Sequence, residues 1–170
     1  MESVRPAEPA DLARCAELIA AARTHARSRR GGDLAEAFGL GHATCSNNSA
    51  ATDRSDVDPW DSVLGWQDGD PDRSLFAGIF DGVVVGLAAG RVTTSRAARR
   101  LGQIAVCYVE PGARGVGVGT LLVEELLAWF RSRGCTHVDG LALPGDRETK
   151  QLYEEAGFKA RLVVLNRQLD

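Results

Sequence analysis

The sequence predicts an α/β domain of the α+β kind, with a mixed, mostly antiparallel sheet flanked by helices. Three observations predict it. Ser74–Phe80 and Val83–Val92 are apolar runs separated by Asp81-Gly82, the dipeptide that closes a two-residue hairpin. A third such run, Leu101–Val109, leads through a glycine-rich bend into Val118–Arg133, where apolar residues recur at helical spacing. The next strand-like run, Thr136–Leu143, is reached through that helix, so it is expected to lie parallel to its predecessor.

The remaining elements follow in chain order. Ser3–Pro6 reads as a short strand. Pro9-Ala-Asp-Leu opens a helix with Leu12, Cys15, Leu18, Ile19 and Ala22 on one face. The pattern fades in Arg27-Ser-Arg-Arg-Gly-Gly. Asp33–Phe38 has the length of another short helix, and Gly39–Asp58 reads as a polar, turn-rich loop. Asp58-Pro59-Trp60 is an N-cap with proline at the first helical position, opening a short helix to Gln67. Gln67-Asp-Gly-Asp-Pro-Asp is a turn, and Thr93–Arg100 a basic connector. Asp146 caps a helix to Glu155 that ends with Gly157 at C′. Ala160–Leu169 reads as a closing strand.

The chain has 170 residues, enough for one domain. A domain of roughly 150 residues buries about 68–70% of its unfolded surface, so a true core is expected. The hydrophobic fraction is 44% and the charged fraction 25%. A net charge of -3 gives no reason to expect a nucleic-acid partner. The opening Met-Glu-Ser-Val-Arg-Pro lacks the basic and apolar regions of a signal peptide, and no apolar run approaches the ~20 residues of a membrane span. A cytoplasmic protein without a membrane partner is the expectation. Cys15, Cys45, Cys107 and Cys135 are scattered, and His25, His42 and His137 stand at no ligand spacing to them. Buried free thiols are expected rather than a metal site or disulfides.

The stretch Arg114-Gly115-Val116-Gly117-Val118-Gly119-Thr120 carries the most chemistry. Glycines at 115, 117 and 119 leave no side chain in the way where a helix begins. First-turn N–H groups lack partners inside a helix and carry the positive end of its dipole, and Arg114 adds a charge beside them. That combination suits a phosphate. A P-loop reading fails because Thr120 follows Gly119 with no lysine. A dinucleotide fingerprint lacks its third glycine at Thr120, although Asp139 lies where a ribose-binding acid is expected, ~20 residues on. A glycine turn that merely packs a helix on a strand is the plain alternative.

Arg114–Gly119 resembles the Gln/Arg-x-x-Gly-x-Gly/Ala signature of the GNAT family of N-acetyltransferases. Cys107-Tyr108-Val109-Glu110-Pro111 resembles the strand end before that signature. Asp146–Phe158, with Leu152-Tyr153-Glu154-Glu155-Ala156-Gly157-Phe158, resembles the family's second motif, and Val4-Arg5-Pro6 with Asp11-Leu12 its opening. The resemblance implies one N-acetyltransferase domain over 1–170, with 74–160 as the acetyl-CoA-binding core and 28–73 as a variable acceptor-side segment. It implies a parallel strand pair splayed around a slot for acetyl-CoA, the cosubstrate, with no metal.

By that resemblance, Arg114, Gly115, Val116, Gly117, Val118, Gly119 and Thr120 hold the diphosphate. The backbone of Cys107, Tyr108 and Val109 pairs with the pantetheine arm like an added half-strand. An N–H near Val109 faces the thioester oxygen, a donor commonly worth ~2.7–4 kcal/mol. Tyr153 is the implied catalytic acid: a phenol of pKa ~10 stays protonated at neutral pH and can donate to the leaving thiolate. Asp146 stands where the family commonly has asparagine beside the cofactor; an N-cap role also explains it.

The resemblance does not identify the general base: a water chain, a residue of the unmatched segment 28–73, or an acceptor amine of low pKa would each serve. Relatives place a glutamate about where Ala105 and Val106 stand, or about where Leu141 stands. Asp139 shares a face with Leu141 by strand alternation. The implied acceptor is an amine of a small molecule or peptide, and a homodimer is compatible with the family. An acidic lid of Asp53, Asp56, Asp58, Asp61, Asp68, Asp70 and Asp72 with Trp60 and Trp66 would suit a cationic amine. A solvated acidic loop with two anchoring tryptophans is the alternative. Arg96, Arg99 and Arg100 would meet CoA phosphates or a partner, or form a wet loop. Two rival functions remain at this point: a non-catalytic acyl-CoA-binding or regulatory module, favoured by the missing glutamates, and a nicotinamide oxidoreductase.

Overall fold

A computed structural model describes residues 1–32, 63–67, 69–95, 98–163, 165 and 167. Strand β1 (Glu2–Pro6) leads through a 3-10 turn at Pro9–Asp11 into helix α1 (Leu12–Arg27). Strands β2 (Arg73–Phe80), β3 (Val83–Thr94) and β4 (Arg100–Val109) follow as a meander, then helix α2 (Val118–Ser132), strand β5 (His137–Asp139) and helix α3 (Arg147–Glu155). The sheet order is β1-β2-β3-β4-β5. Every pairing is antiparallel except β4 with β5, which is parallel. Asp81 and Gly82 both have positive φ, as the two-residue turn between β2 and β3 requires.

The opening motif has a physical reason. Arg5 donates to both carboxylate oxygens of Asp11, at 2.5 and 3.1 Å, and Asp11 also accepts the Glu8 N–H at 2.8 Å. One buried carboxylate therefore ties β1 to the start of α1. The Arg5 guanidinium and the Glu8 N–H hold its carboxyl below the usual carboxylate range, against the effect of its burial.

The sheet is covered on both faces. Under α1 lie Cys15, Leu18, Ile19 and Ala22 against Leu75, Ala77, Leu87 and Ala89. Under α2 lie Leu122, Leu126 and Phe130 against Phe76, Ala88 and Ile104. Helix α2 can approach closely because several strand positions beneath it, Gly78, Gly86, Gly90 and Gly102, are glycine. A Cβ on Gly90 or on Gly102 would stand 2.6 Å from the Phe130 ring. Across the sheet from α2, β4 carries a bulge: Ala89 pairs with Val106 and Gly90 with Ile104, leaving Ala105 as the extra residue. Ala105 and Val106 consequently both join the α1-side core.

Two expectations are corrected. The strand expected over Thr136–Leu143 is paired only at His137–Asp139, because beyond Asp139 the chain leaves β4. The strand expected over Ala160–Leu169 is absent among its described residues, 160–163, 165 and 167. Leu162, Val163 and Leu165 stand 56%, 75% and 90% exposed. The neighbouring edge, β5, is only three residues long and offers too short a ladder for a further strand. The described part of the expected Asp58–Gln67 helix is a 3-10 turn, Val63–Gln67. Its cap at Asp58-Pro59-Trp60, the Asp33–Phe38 helix, most of the acidic lid, Cys45, His42 and Arg96 lie outside the described residues.

Candidate active site

Divergence of β5 from β4 creates the site. The two strands pair from Leu101↔His137 to Gln103↔Asp139 and then part. Gly140 comes to rest against the face of Tyr153, where a Cβ would lie 3.0 Å from the ring. The gap is a cavity of about 570 Å³. The second half of β4, the glycine bend, α3 and the last turns of α1 line it, Cys107, Tyr108 and Val109 among them.

The edge of β4 inside this gap has free backbone groups. Glu110 N–H bonds the Val85 carbonyl on the β3 side at 3.0 Å. Successive N–H groups along a strand point to opposite edges, so Val109 N–H, and Cys107 N–H two residues earlier, face the edge that β5 has left. The sequence-derived Val109 donor therefore has a cavity to face.

At the end of β4, Gly115 and Gly117 have φ of +80° and +92°, a left-handed backbone that side chains disfavour. Gly117 is the N-cap of α2, and no side chain caps it. The first intrahelical bond runs from Leu121 N–H to the Gly117 carbonyl at 3.1 Å. The N–H groups of Val118, Gly119 and Thr120 are therefore without intrahelical partners. Gly115, Gly117, Gly119 and Thr120 all line the cavity. Val116 is 38% exposed, on the outside of the bend. Arg114 is committed within the protein: its Nε donates to the Val109 carbonyl at 2.9 Å, and Nη1 pairs with Glu148. Its guanidinium lies 5.6 Å from the Tyr108 ring centroid. The positive field of the bend thus comes chiefly from the helix terminus rather than from a free arginine.

Tyr153 stands on the opposite wall, 7% exposed. The chain after it explains the spacing of its motif. Phe158 N–H bonds the Tyr153 carbonyl at 2.9 Å and Gly157 N–H the Glu154 carbonyl at 3.0 Å, with Gly157 at φ +86°. This is a Schellman ending, in which the residue after the glycine folds back on the one five before it. Here that contact sets the Phe158 ring 5.1 Å from the Tyr153 ring and braces it. Burial, then Cys107 and Asp146, push the Tyr153 phenol well above its ordinary pKa. It remains a proton donor over the whole neutral range. Burial pushes the Cys107 thiol up to about 12, so it is no thiolate nucleophile at neutral pH.

Asp146 caps α3 as expected: its Oδ1 accepts Thr149 N–H at 3.2 Å and its Oδ2 accepts Thr149 Oγ1 at 2.8 Å. It is 8% exposed. Its Oδ2 also lies 3.5 Å from His25 Nε2, and His25 lines the cavity from α1. The sequence reading gave His25 no role here. The available signal was its phase, since it continues the Leu18 and Ala22 stripe that faces the sheet. Asp139 is instead paired with Arg161 at 3.0 Å and lies outside the cavity lining. Ala105, Val106 and Leu141 line the cavity without a carboxylate. Trp66 is a core residue, 6% exposed, under the Arg73 guanidinium at 5.6 Å, so it anchors its segment. Asp70 pairs with Arg73 at 3.4 Å, and Asp72 pairs with Arg100 of the connector. Among the described residues no cluster of three or more potential metal ligands occurs, and no helix is long and apolar enough to cross a membrane.

Comparison with known proteins agrees with this arrangement. Over 66 residues the chain is 35% identical to a Trypanosoma brucei brucei protein described as glucosamine 6-phosphate N-acetyltransferase, a match covering 39% of this chain and 43% of that one. The fold resembles that of a Trypanosoma brucei acetyltransferase, with TM-score 0.61, 22% identity, and coverage of 99% of this chain and 100% of the other. It also resembles a mutant protein from Bacillus halodurans, with TM-score 0.72, 14% identity, and coverage of 98% and 99%. The family model described as "Acetyltransferase (GNAT) family" matches residues 43–158, more than half of the chain. The splayed strands, the uncapped glycine bend and the braced tyrosine accordingly belong to a chain that is a member of the GNAT acetyltransferase family.

Proposed function

We propose that this protein is an acetyl-CoA-dependent N-acetyltransferase that moves an acetyl group to a primary amine of a small molecule or peptide by direct attack on the thioester. The observation that carries the reading is the uncapped α2 terminus, with its two left-handed glycines, opening into the same cavity as the free edge of β4 and the buried Tyr153. The residues fit acetyl-CoA. Gly115–Thr120 would take the diphosphate on backbone donors. Cys107 and Val109 would pair with the pantetheine amides through their freed edge. Val109 N–H would sit at the thioester oxygen and meet the charge that develops there. Tyr153 would protonate the departing sulfur. A neutral Cys107 thiol supports direct transfer over an acetyl-cysteine route.

The test is calorimetry with CoA and acetyl-CoA, followed by thiol release across a panel of amines that includes amino sugars, polyamines and peptide N-termini. Micromolar CoA binding with thiol release for one or more amines is expected. The absence of CoA binding would refute the reading. The absence of a carboxylate at Ala105, Val106 and Leu141 favours a second reading, a non-catalytic acyl-CoA-binding module. It predicts the same CoA affinity with no thiol released by any amine.

A further inference from the structure

We propose that His25, held by Asp146, takes the proton from the acceptor ammonium. This rests on the acetyl-transfer reading above. An alkylamine of pKa near ~10.4 arrives mostly protonated at pH 7 and cannot attack until a base has taken that proton. The β4 positions at which relatives carry a glutamate, Ala105 and Val106, are apolar. Among the described residues that line the cavity, His25 is the one imidazole.

Its placement suits the task. His25 lies in the last turn of α1, with its side chain 23% exposed, so it can meet both the cavity and solvent. Its ring centroid is 6.3 Å from that of Tyr108, whose neighbour Val109 would hold the thioester oxygen. Nε2 faces the Asp146 carboxylate at 3.5 Å, so Nδ1, on the other side of the ring, is the nitrogen left to accept a proton. Asp146 is fixed by two bonds from Thr149 and cannot swing away. It orients the ring and gives the imidazolium a counter-ion, as a positioning residue. Other charged and titratable groups face the ring. Arg29, one turn on, donates to the Gly145 carbonyl at 3.5 Å, and Tyr108 faces it from β4. Tyr153, the neutral Cys107, Glu155 and the Arg114–Glu148 pair also line the cavity.

The proton count closes. One ammonium proton passes to His25, and the neutral nitrogen forms a C–N bond to the thioester carbon. The C–S bond breaks as Tyr153 gives its phenolic proton to sulfur. The proton that the new amide nitrogen sheds restores the phenol, and His25 returns its own proton to solvent.

The experiment uses His25→Gln, His25→Ala and Asp146→Asn in the full chain. Acetyl-CoA affinity is measured by calorimetry, and thiol release is followed against pH. Two acceptors are compared: the fastest alkylamine of the screen, and an arylamine that is neutral at pH 7. His25→Gln is expected to lower kcat/KM for the alkylamine by roughly 10²–10⁴-fold and to change the acid limb of its pH profile to one that follows the ionisation of the amine itself. Arylamine turnover and acetyl-CoA affinity are expected to be unchanged. Asp146→Asn retains a capping oxygen and is expected to lose alkylamine activity in part. Free imidazole is expected to restore alkylamine turnover in His25→Ala. Wild-type rates and an unaltered acid limb in His25→Gln would overturn the proposal and leave the transferase reading standing. So would equal losses on both amines without imidazole rescue. Acetyl-CoA binding with no thiol release by the wild type would overturn the transferase reading and this proposal with it.

Discussion

Gly117→Ala tests the bend proposed above to hold acetyl-CoA. Gly117 sits at φ +92° and ψ -13° as the uncapped start of α2. An added Cβ would meet nothing nearer than Glu2 Cγ at 3.9 Å, so the cost is conformational and not steric. Placing an L-residue in the left-handed region costs roughly 1–2 kcal/mol. The alanine offsets about 0.4–1 kcal/mol of that by stiffening the unfolded chain. A net loss of about 1 kcal/mol lowers Tm by roughly 2–4 °C in a domain of this size. Any relaxation of φ also turns the Val118 and Gly119 donors away from a bound phosphate. A hydrogen bond to a charged group is worth about 1.5–3 kcal/mol, so losing one donor weakens CoA binding by roughly 10–100-fold. Gly119→Ala is the internal control. Gly119 has no positive φ, and its added Cβ would be in ordinary contact with Leu152 at 3.5 Å. That variant is expected to be as stable as the wild type, or more so. Thermal melts and CoA calorimetry on both variants decide the matter. CoA affinity unaltered in Gly117→Ala would show that the diphosphate is held elsewhere.

The other predictions concern chemistry, packing and pH. Tyr153→Phe keeps the ring stack on Phe158 but removes the proton donor, and should slow acetyl transfer by roughly 10²–10⁴-fold with CoA affinity unaltered; because the phenol titrates above its ordinary value, the wild-type rate should show no alkaline fall from this group below about pH 10. No covalent acetyl group should remain on the protein after incubation with radiolabelled acetyl-CoA and denaturing gel filtration, since the Cys107 thiol is not ionised. Gly102→Ala should cost about 1–3 kcal/mol in urea unfolding by overpacking against the fully buried Phe130, and adding Phe130→Leu should recover part of that loss. The Arg5–Asp11 contribution is complete above about pH 4, where an unfolded aspartate is ionised, and fades as acid protonates the carboxylate. Asp11→Asn should therefore destabilise the protein at pH 7, by an amount that shrinks as pH falls below about 4 in urea unfolding.

Local chemistry made the hairpin, the bend and the end of α3 legible. Asp81-Gly82 needs only its own backbone preferences to turn, and Gly157-Phe158 needs only the helix it terminates. Apolar periodicity likewise marked α1, α2 and the three meander strands, because burial of one face is written at each residue. The closing strand failed for a complementary reason. Arg161-Leu-Val-Val-Leu has strand composition, yet a strand exists only where a neighbouring edge is long enough to pair with it, and composition does not contain the neighbour. The same holds for the second half of Thr136–Leu143.

By itself the sequence determined which bend leaves backbone donors uncapped and marked α1, α2, α3 and the β2–β3 hairpin, since those are properties of short stretches of backbone. Tertiary structure alone decided where β5 leaves β4, that Arg114 is engaged by Glu148, and that His25 meets Asp146. These are contacts between residues 34 to 121 positions apart, set by how α1 and α3 cross the gap in the sheet, and no local pattern carries such a distance.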